Sequence, residues 1–220
     1  MTSLVIFDCD GVLIDSEIIS TGVLVEELAR HGVSIEMRYV LENFIGHPYP
    51  IVAGKIAAIA GAPLPASFEG AYRAHLARRF AAELRPMPGV VDVLDALAVP
   101  YCAATSSSPE RAHQSLRAAG LADRLGDRIY TVSMVAHPKP APDLFVHAAN
   151  AMGADPKECL VVEDSDLGIA AAHAAGMQVW QFTGGSHYAA SHRTPKSDIK
   201  PDRSFHTMAE FFVGAPHLRR

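Results

Sequence analysis

A short apolar run that ends in two carboxylates constrains this chain more than any other stretch. Leu4, Val5, Ile6 and Phe7 lead into Asp8-Cys9-Asp10-Gly11-Val12. If the run is a buried parallel strand, Asp8 and Asp10 leave its carboxyl end, where open α/β sheets bind ligands. Residues i and i+2 of an extended segment point the same way. Two like charges so placed repel unless a cation or a shared proton relieves them. The pair points to magnesium, to proton transfer, or to both. Read alone, the same residues would also make a turn, since Asp and Gly are common turn residues.

The residues after the run set the organisation. Ser16 is placed to cap a helix in which Ile18, Ile19, Val23, Leu24 and Leu28 recur at helical spacing. Helical patterns continue over 37–44, 51–60 and 68–82, broken at Gly46-His47-Pro48 and at 61–65. A block of helices directly after the first strand of an α/β chain reads as a separate cap. The expected division is residues 1–15 and 84–220 as catalytic core, with 16–83 as the cap. From Arg85-Pro86-Met87-Pro88-Gly89 onward, strands and helices alternate, with strands expected over 100–104, 128–132, 159–162 and 177–182. Such alternation implies a doubly wound parallel sheet with helices on both faces. Residues 184–204 show no period and read as a long surface loop. The strip from His187-Tyr188 to His192-Arg193 folds over the cleft or serves as a contact surface. Residues 208–213 read as a last helix and 216–220 as a loose tail.

Three more strand ends carry chemistry. Ala104-Thr105-Ser106-Ser107-Ser108-Pro109 runs from a strand into a helix. Ser108 suits the N-cap and Pro109 the first helical position, and the free amides of such a terminus suit a phosphate. Lys139 lies between Pro138 and Pro140, on a loop whose prolines fix its backbone. It can supply positive charge to a phosphoryl group and to an anionic nucleophile. Leu160-Val161-Val162 ends in Glu163-Asp164 and enters a helix that Ser165 or Asp166 could cap. Asp164 beside Asp8 would make the hard oxygen site that magnesium requires. Two acids, a hydroxyl, a lysine and two acids, in that order, match phosphoryl transfer to a carboxylate.

With these motifs in order, the chain resembles the haloacid dehalogenase superfamily over residues 4–182. Asp15-Ser16-Glu17, Lys139-Pro140-Ala141-Pro142-Asp143 and the stretch from Glu163 to Gly168 are similar to its helical-cap branch. That branch holds beta-phosphoglucomutase and sugar-phosphate phosphatases, including 6-phosphogluconate phosphatase-like members. The resemblance implies a sheet of order 5-4-1-2-3. It implies that Asp8 attacks phosphorus, that Asp10 serves as acid and base, and that Thr105 and Lys139 bind the phosphoryl oxygens, with Ser106 and Ser107 beside them. Mg²⁺ would be held by Asp8, the Asp10 main-chain carbonyl and Asp164, with Glu163 behind. In that branch the cap loop at Gly46 reaches the active site, so His47, Tyr49 and Lys55 are candidate contacts to the leaving group. The alternative for each is ordinary cap surface.

The implied activity is a magnesium-dependent phosphatase acting on a small phosphorylated metabolite. The rivals are a phosphosugar mutase, a phosphorylation-controlled receiver module and a metabolite-binding protein. Ser20 and Tyr49 stand where the mutase carries a histidine and an arginine, so a second phosphate should lack fixed positive charge. Receivers place their aspartate after the third strand and lack the helical block. The net charge of −5 without a basic run argues against nucleic acid. No apolar run is long enough for a membrane span. No signal peptide is evident, and Cys9, Cys102 and Cys159 read as reduced core thiols of a cytoplasmic protein. A monomer or weak homo-oligomer is expected.

Overall fold

The opening run forms strand β1 (Leu4–Phe7) and lies at the middle of a six-stranded sheet. A computed structural model describes residues 1–191 and 200–220. The strands are β2 (Tyr101–Thr105), β3 (Ile129–Thr131), β4 (Cys159–Glu163), β5 (Gln178–Phe182) and β6 (Arg203–Phe205), and their order is β3-β2-β1-β4-β5-β6. All pairings are parallel; Ile6 aligns with Cys102 on one side and Val161 on the other. The expected five-strand order is present, extended at one edge by β6.

An apolar run without alternation is what a strand covered on both faces needs. Val5 and Phe7 enter one hydrophobic cluster, while Leu4 and Ile6 enter the other on the opposite face. Full burial of each such side chain contributes about 1.5–3 kcal/mol.

Four helices follow β1 in one block that ends before residue 85: α1 (Glu17–Arg30), α2 (Met37–Asn43), α3 (Tyr49–Ala60) and α4 (Phe68–Glu83). Beyond them lie α5 (Val90–Ala96), α6 (Pro109–Ala118), α7 (Ala122–Leu125), α8 (Asp143–Ala151), α9 (Asp166–Ala174), α10 (Ser186–Ser191) and α11 (Phe211–Gly214). Helix α1 packs on α4 and α2, and α4 on α6, so the inserted helices rest against the core beside the strand ends. Among the described residues no helix is long and apolar enough to cross a membrane.

Three local expectations change. Ser16 sits at the N-cap position of α1 but makes no side-chain cap; its hydroxyl donates to Asp10 instead. A stronger acceptor, an ionised carboxylate, wins over capping. Residues 184–204 are not simply a surface loop: α10 packs on α1 and α2, and β6 extends the sheet. His192 and Arg193 lie outside the described residues. The tail is anchored, since Leu218 is buried and the Arg220 amide donates to the Ala96 carbonyl.

Candidate active site

Each strand that ends at the cleft delivers one part of a buried charge cluster. Lys139 Nζ donates to Asp8 Oδ1 at 2.6 Å, to Glu163 Oε1 at 2.7 Å and to the Ala104 carbonyl at 3.2 Å. All three ammonium donors are therefore used. Burial opposes the lysine's charge, but Asp8 and Glu163 overcome it and hold Lys139 above its ordinary range. Burial also pushes Asp8 well above the usual carboxylate range, with Glu163 and Asp164 adding to it, against the pull of Lys139.

Glu163 braces the loop beyond it. Its Oε2 accepts from the Asp164 amide at 2.7 Å, the Ser165 amide at 2.6 Å and the Ser165 hydroxyl at 3.0 Å. Ser165, not Asp166, caps α9, by accepting from the Gly168 amide. Carboxylate oxygens of Asp8, Glu163 and Asp164 lie within 4.8 Å of one another, and all three residues are buried. Three buried carboxylates thus share one ammonium, with the His187 ring beside Asp164. A divalent cation with oxygen preference fits that set. Gly11 admits the close packing here: its φ is +84°, and a Cβ would overlap the Asp164 carboxylate.

The strip after β5 closes the far side. His187 is fully buried, with Nε2 3.1 Å from Asp164 Oδ2. The Tyr188 hydroxyl donates to the Asp164 carbonyl, and Ser186 donates through its amide (3.1 Å) and hydroxyl (2.8 Å) to Asp15 Oδ1.

Asp10 faces a different set of groups. Oδ1 accepts from the Ser16 hydroxyl at 2.6 Å and from Arg111 Nη2 at 3.0 Å. Oδ2 accepts from the Ser107 hydroxyl at 2.7 Å and more distantly from Thr105 Oγ1 at 3.5 Å. Burial works against ionisation, but Arg111 and the two serines outweigh it and hold Asp10 below the usual range.

The inserted helices complete a cleft of about 540 Å³. Gly46 touches the core side of it: with φ +80°, a Cβ there would lie 3.1 Å from Ser165. His47 Nε2 takes a hydrogen bond from Lys55 Nζ at 2.8 Å, and Lys55 also donates to the Asn43 carbonyl. An ammonium can only donate, so His47 carries its proton on Nδ1. Burial and the Lys55 charge keep the ring neutral by lowering its pKa. Tyr49 stacks on Tyr72, and the Arg73 guanidinium lies over the Tyr49 ring at 5.5 Å. Burial pushes Glu17, on the same wall, up to about 7, with the Asp10 and Asp164 charges adding to the shift.

Asp8, Asp10, Gly46, His47, Tyr49, Thr105, Ser106, Ser107, Lys139, Glu163 and Asp164 thus line one cleft. Lys55 is not among the lining residues; it stands behind His47. Sequence reasoning missed Arg111, Glu17 as a lining acid and the Ser16–Asp10 contact, whereas His187 and Tyr188 lie at Asp164 as one of the two placements expected of their strip allows. Besides Ser20 and Tyr49, two arginines that the sequence reading did not single out line the cleft, Arg73 paired with Glu69 and Arg111 with Asp10.

A family model described as haloacid dehalogenase-like hydrolase matches residues 2–176. The chain belongs to that family. It is 29% identical to 6-phosphogluconate phosphatase of Escherichia coli K12 over 83% of each chain. It is 31% identical to fructose-1-phosphate phosphatase YqaB of the same organism, over 78% of this chain and 92% of that one. A haloacid dehalogenase-like protein of unknown function from Agrobacterium tumefaciens superposes over 99% of both chains, with a TM-score of 0.81 and 32% identity. Family membership makes the protein a hydrolase.

Proposed function

We propose that the protein is a magnesium-dependent phosphoric monoester hydrolase that cleaves a small sugar phosphate through an aspartyl-phosphate. The observation that carries this reading is the Asp8 carboxylate at the end of the central strand. One of its oxygens is fixed by Lys139, and it stands in a three-carboxylate cluster with Asp10 two residues away. The Asp8 and Asp164 carboxylates and the Asp10 carbonyl would hold the ion, with Glu163 setting the loop. When bound, magnesium supplies charge neutralisation at the phosphoryl oxygens.

The chain's own groups then divide the work. Asp8 attacks phosphorus as the bond to the leaving oxygen breaks, and an acyl phosphate forms on its side chain. Lys139 keeps the nucleophile oriented and offsets charge on the transferring group. Asp10 gives a proton to the leaving oxygen, then takes one from the water that attacks the acyl phosphate, which releases inorganic phosphate and restores Asp8. In the geometry described, Asp10 is an anion held by Arg111, so acid catalysis requires it to take up a proton from solvent and turn from Arg111 toward the leaving group; the proton it later takes from the attacking water restores this acid form. The inserted helices act as a cap that excludes water and reads the leaving group through His47 and Tyr49. A cytoplasmic setting agrees with three buried free thiols.

The test is phosphate release from p-nitrophenyl phosphate and from a panel of sugar phosphates, with and without Mg²⁺. Steady, metal-dependent release supports the reading. No hydrolysis of any member overturns it, and conversion of β-glucose 1-phosphate to glucose 6-phosphate without free phosphate indicates the mutase.

A further inference from the structure

Arg111 is built into the cleft in a way the phosphoryl chemistry does not use. It projects from the first turn of α6, its side chain is 25% exposed, and Phe80 of α4 lies under its guanidinium at 5.9 Å. Nη2 is on Asp10, while Nε is buried and has no hydrogen-bond partner among the described residues. A buried donor normally has an acceptor, and a buried guanidinium needs an anion beside it. Among the described residues its ion-pair partner is Asp10, the group that must turn away for catalysis, with Glu17 also close enough to act on its charge. His47 Nδ1, which carries a proton, also belongs to a residue that lines the cleft and is likewise buried and without an acceptor among the described residues. Arg73 adds a second guanidinium to the same wall as His47 and is held in place by Glu69 and Ser108. The acids Glu17 and Glu110 also face this space, so the cleft is not simply cationic.

We propose that the substrate carries, besides its phosphoryl group, a second anionic group, a carboxylate or a phosphate, that Arg111 binds through its Nε side. The proposal rests on the phosphatase reading above and names the substrate class within it. Guanidinium presents paired donors that match either anion. As Asp10 turns to serve the leaving oxygen, the second anion takes its place as the counter-charge of Arg111. A neutral substrate would leave that charge uncompensated at the same moment, so discrimination appears in kcat/KM.

Matched pairs test this. Gluconate 6-phosphate and glucitol 6-phosphate differ only in a carboxylate against a hydroxymethyl group, as do 3-phosphoglycerate and glycerol 3-phosphate. Fructose 1,6-bisphosphate against fructose 1-phosphate supplies the phosphate arm. The expected result is a preference of roughly tenfold or more in kcat/KM for the doubly anionic member of at least one pair. Arg111→Met should reduce that preference to about twofold or less while still hydrolysing the neutral member, and Arg111→Lys should keep part of it. The ratio within one preparation is insensitive to any fraction that fails to fold. Hydrolysis with no preference in any pair, or a preference that survives Arg111→Met, overturns the proposal and leaves the phosphatase reading standing. Absence of all hydrolysis, p-nitrophenyl phosphate included, overturns the phosphatase reading itself.

Discussion

The two sides of the cleft are built on opposite principles. On the strand-end side, Lys139 uses all its donors on Asp8, Glu163 and a carbonyl, and Glu163 is locked to two backbone amides. On the helix side, Arg111 Nε and His47 Nδ1 stand buried without acceptors among the described residues. The first side is finished before any substrate arrives, as electrostatic preorganisation requires. The second side is unfinished, and a ligand must complete it.

The largest effects should come from breaking the finished side. Asp8→Asn removes the nucleophilic charge with little change in volume, and turnover should fall by more than about a thousandfold with an unchanged far-UV circular dichroism spectrum. A folded variant of near-normal rate would remove Asp8 from its assigned role. Excess chelator should also abolish activity, and titration with Mg²⁺ should restore it. Ca²⁺ should not, because its looser coordination does not hold the same geometry. Full activity in chelator would contradict the cation site.

Smaller effects should come from the helix side. Lys55→Met takes the donor from His47 Nε2, so the ring no longer has one fixed tautomer. KM should rise roughly three- to tenfold with kcat within about twofold, and imidazole ¹⁵N shifts should report mixed tautomers. An unchanged spectrum would mean that Lys55 does not set the ring. The smallest effect concerns Glu17, whose folded pKa of about 7 lies above its ordinary 4.5. The folded state holds the proton more tightly, so stability is lost as pH rises from about 4.5 to 7. In metal-free protein, Glu17→Gln should match the wild type near pH 4 and be the more stable of the two at pH 8. Thermal unfolding across that range measures the difference, and parallel curves would contradict the shift.

The strand-end side was legible in sequence because its signals are local. An apolar run that stops at a charged or hydroxyl residue marks both the strand and the tip where the site must lie, and this held at Asp8, Thr105 and Glu163-Asp164. Arg111 gives no such signal. In the first turn of an otherwise polar helix it reads as solvated surface, and only the packing of α4 on α6 makes it an inward group. Helix α10 was hidden for a related reason, although the strip that holds His187 was named as one that could fold over the cleft: a six-residue helix among Ser, His and Gly has no period long enough to read. The three residues of β6 are likewise too short to show alternation. Lys55 was recognised as relevant but misplaced by one layer, since spacing along a helix cannot tell a residue that meets ligand from one that holds its neighbour.

The central position of β1 also sets an order of events during synthesis. Its neighbours begin at Tyr101 and Cys159, so the strand made first must wait for both sides of its hydrogen bonding. At ordinary elongation rates that interval is on the order of 10–30 s. Over that time the helices α1 to α4, whose contacts are closer in sequence, can assemble while four apolar residues at the chain's start remain unpaired. Non-local pairing of this kind slows folding and exposes a sticky edge. Asp8, made before both neighbouring strands, acquires its final surroundings only once Lys139 and Glu163 have followed.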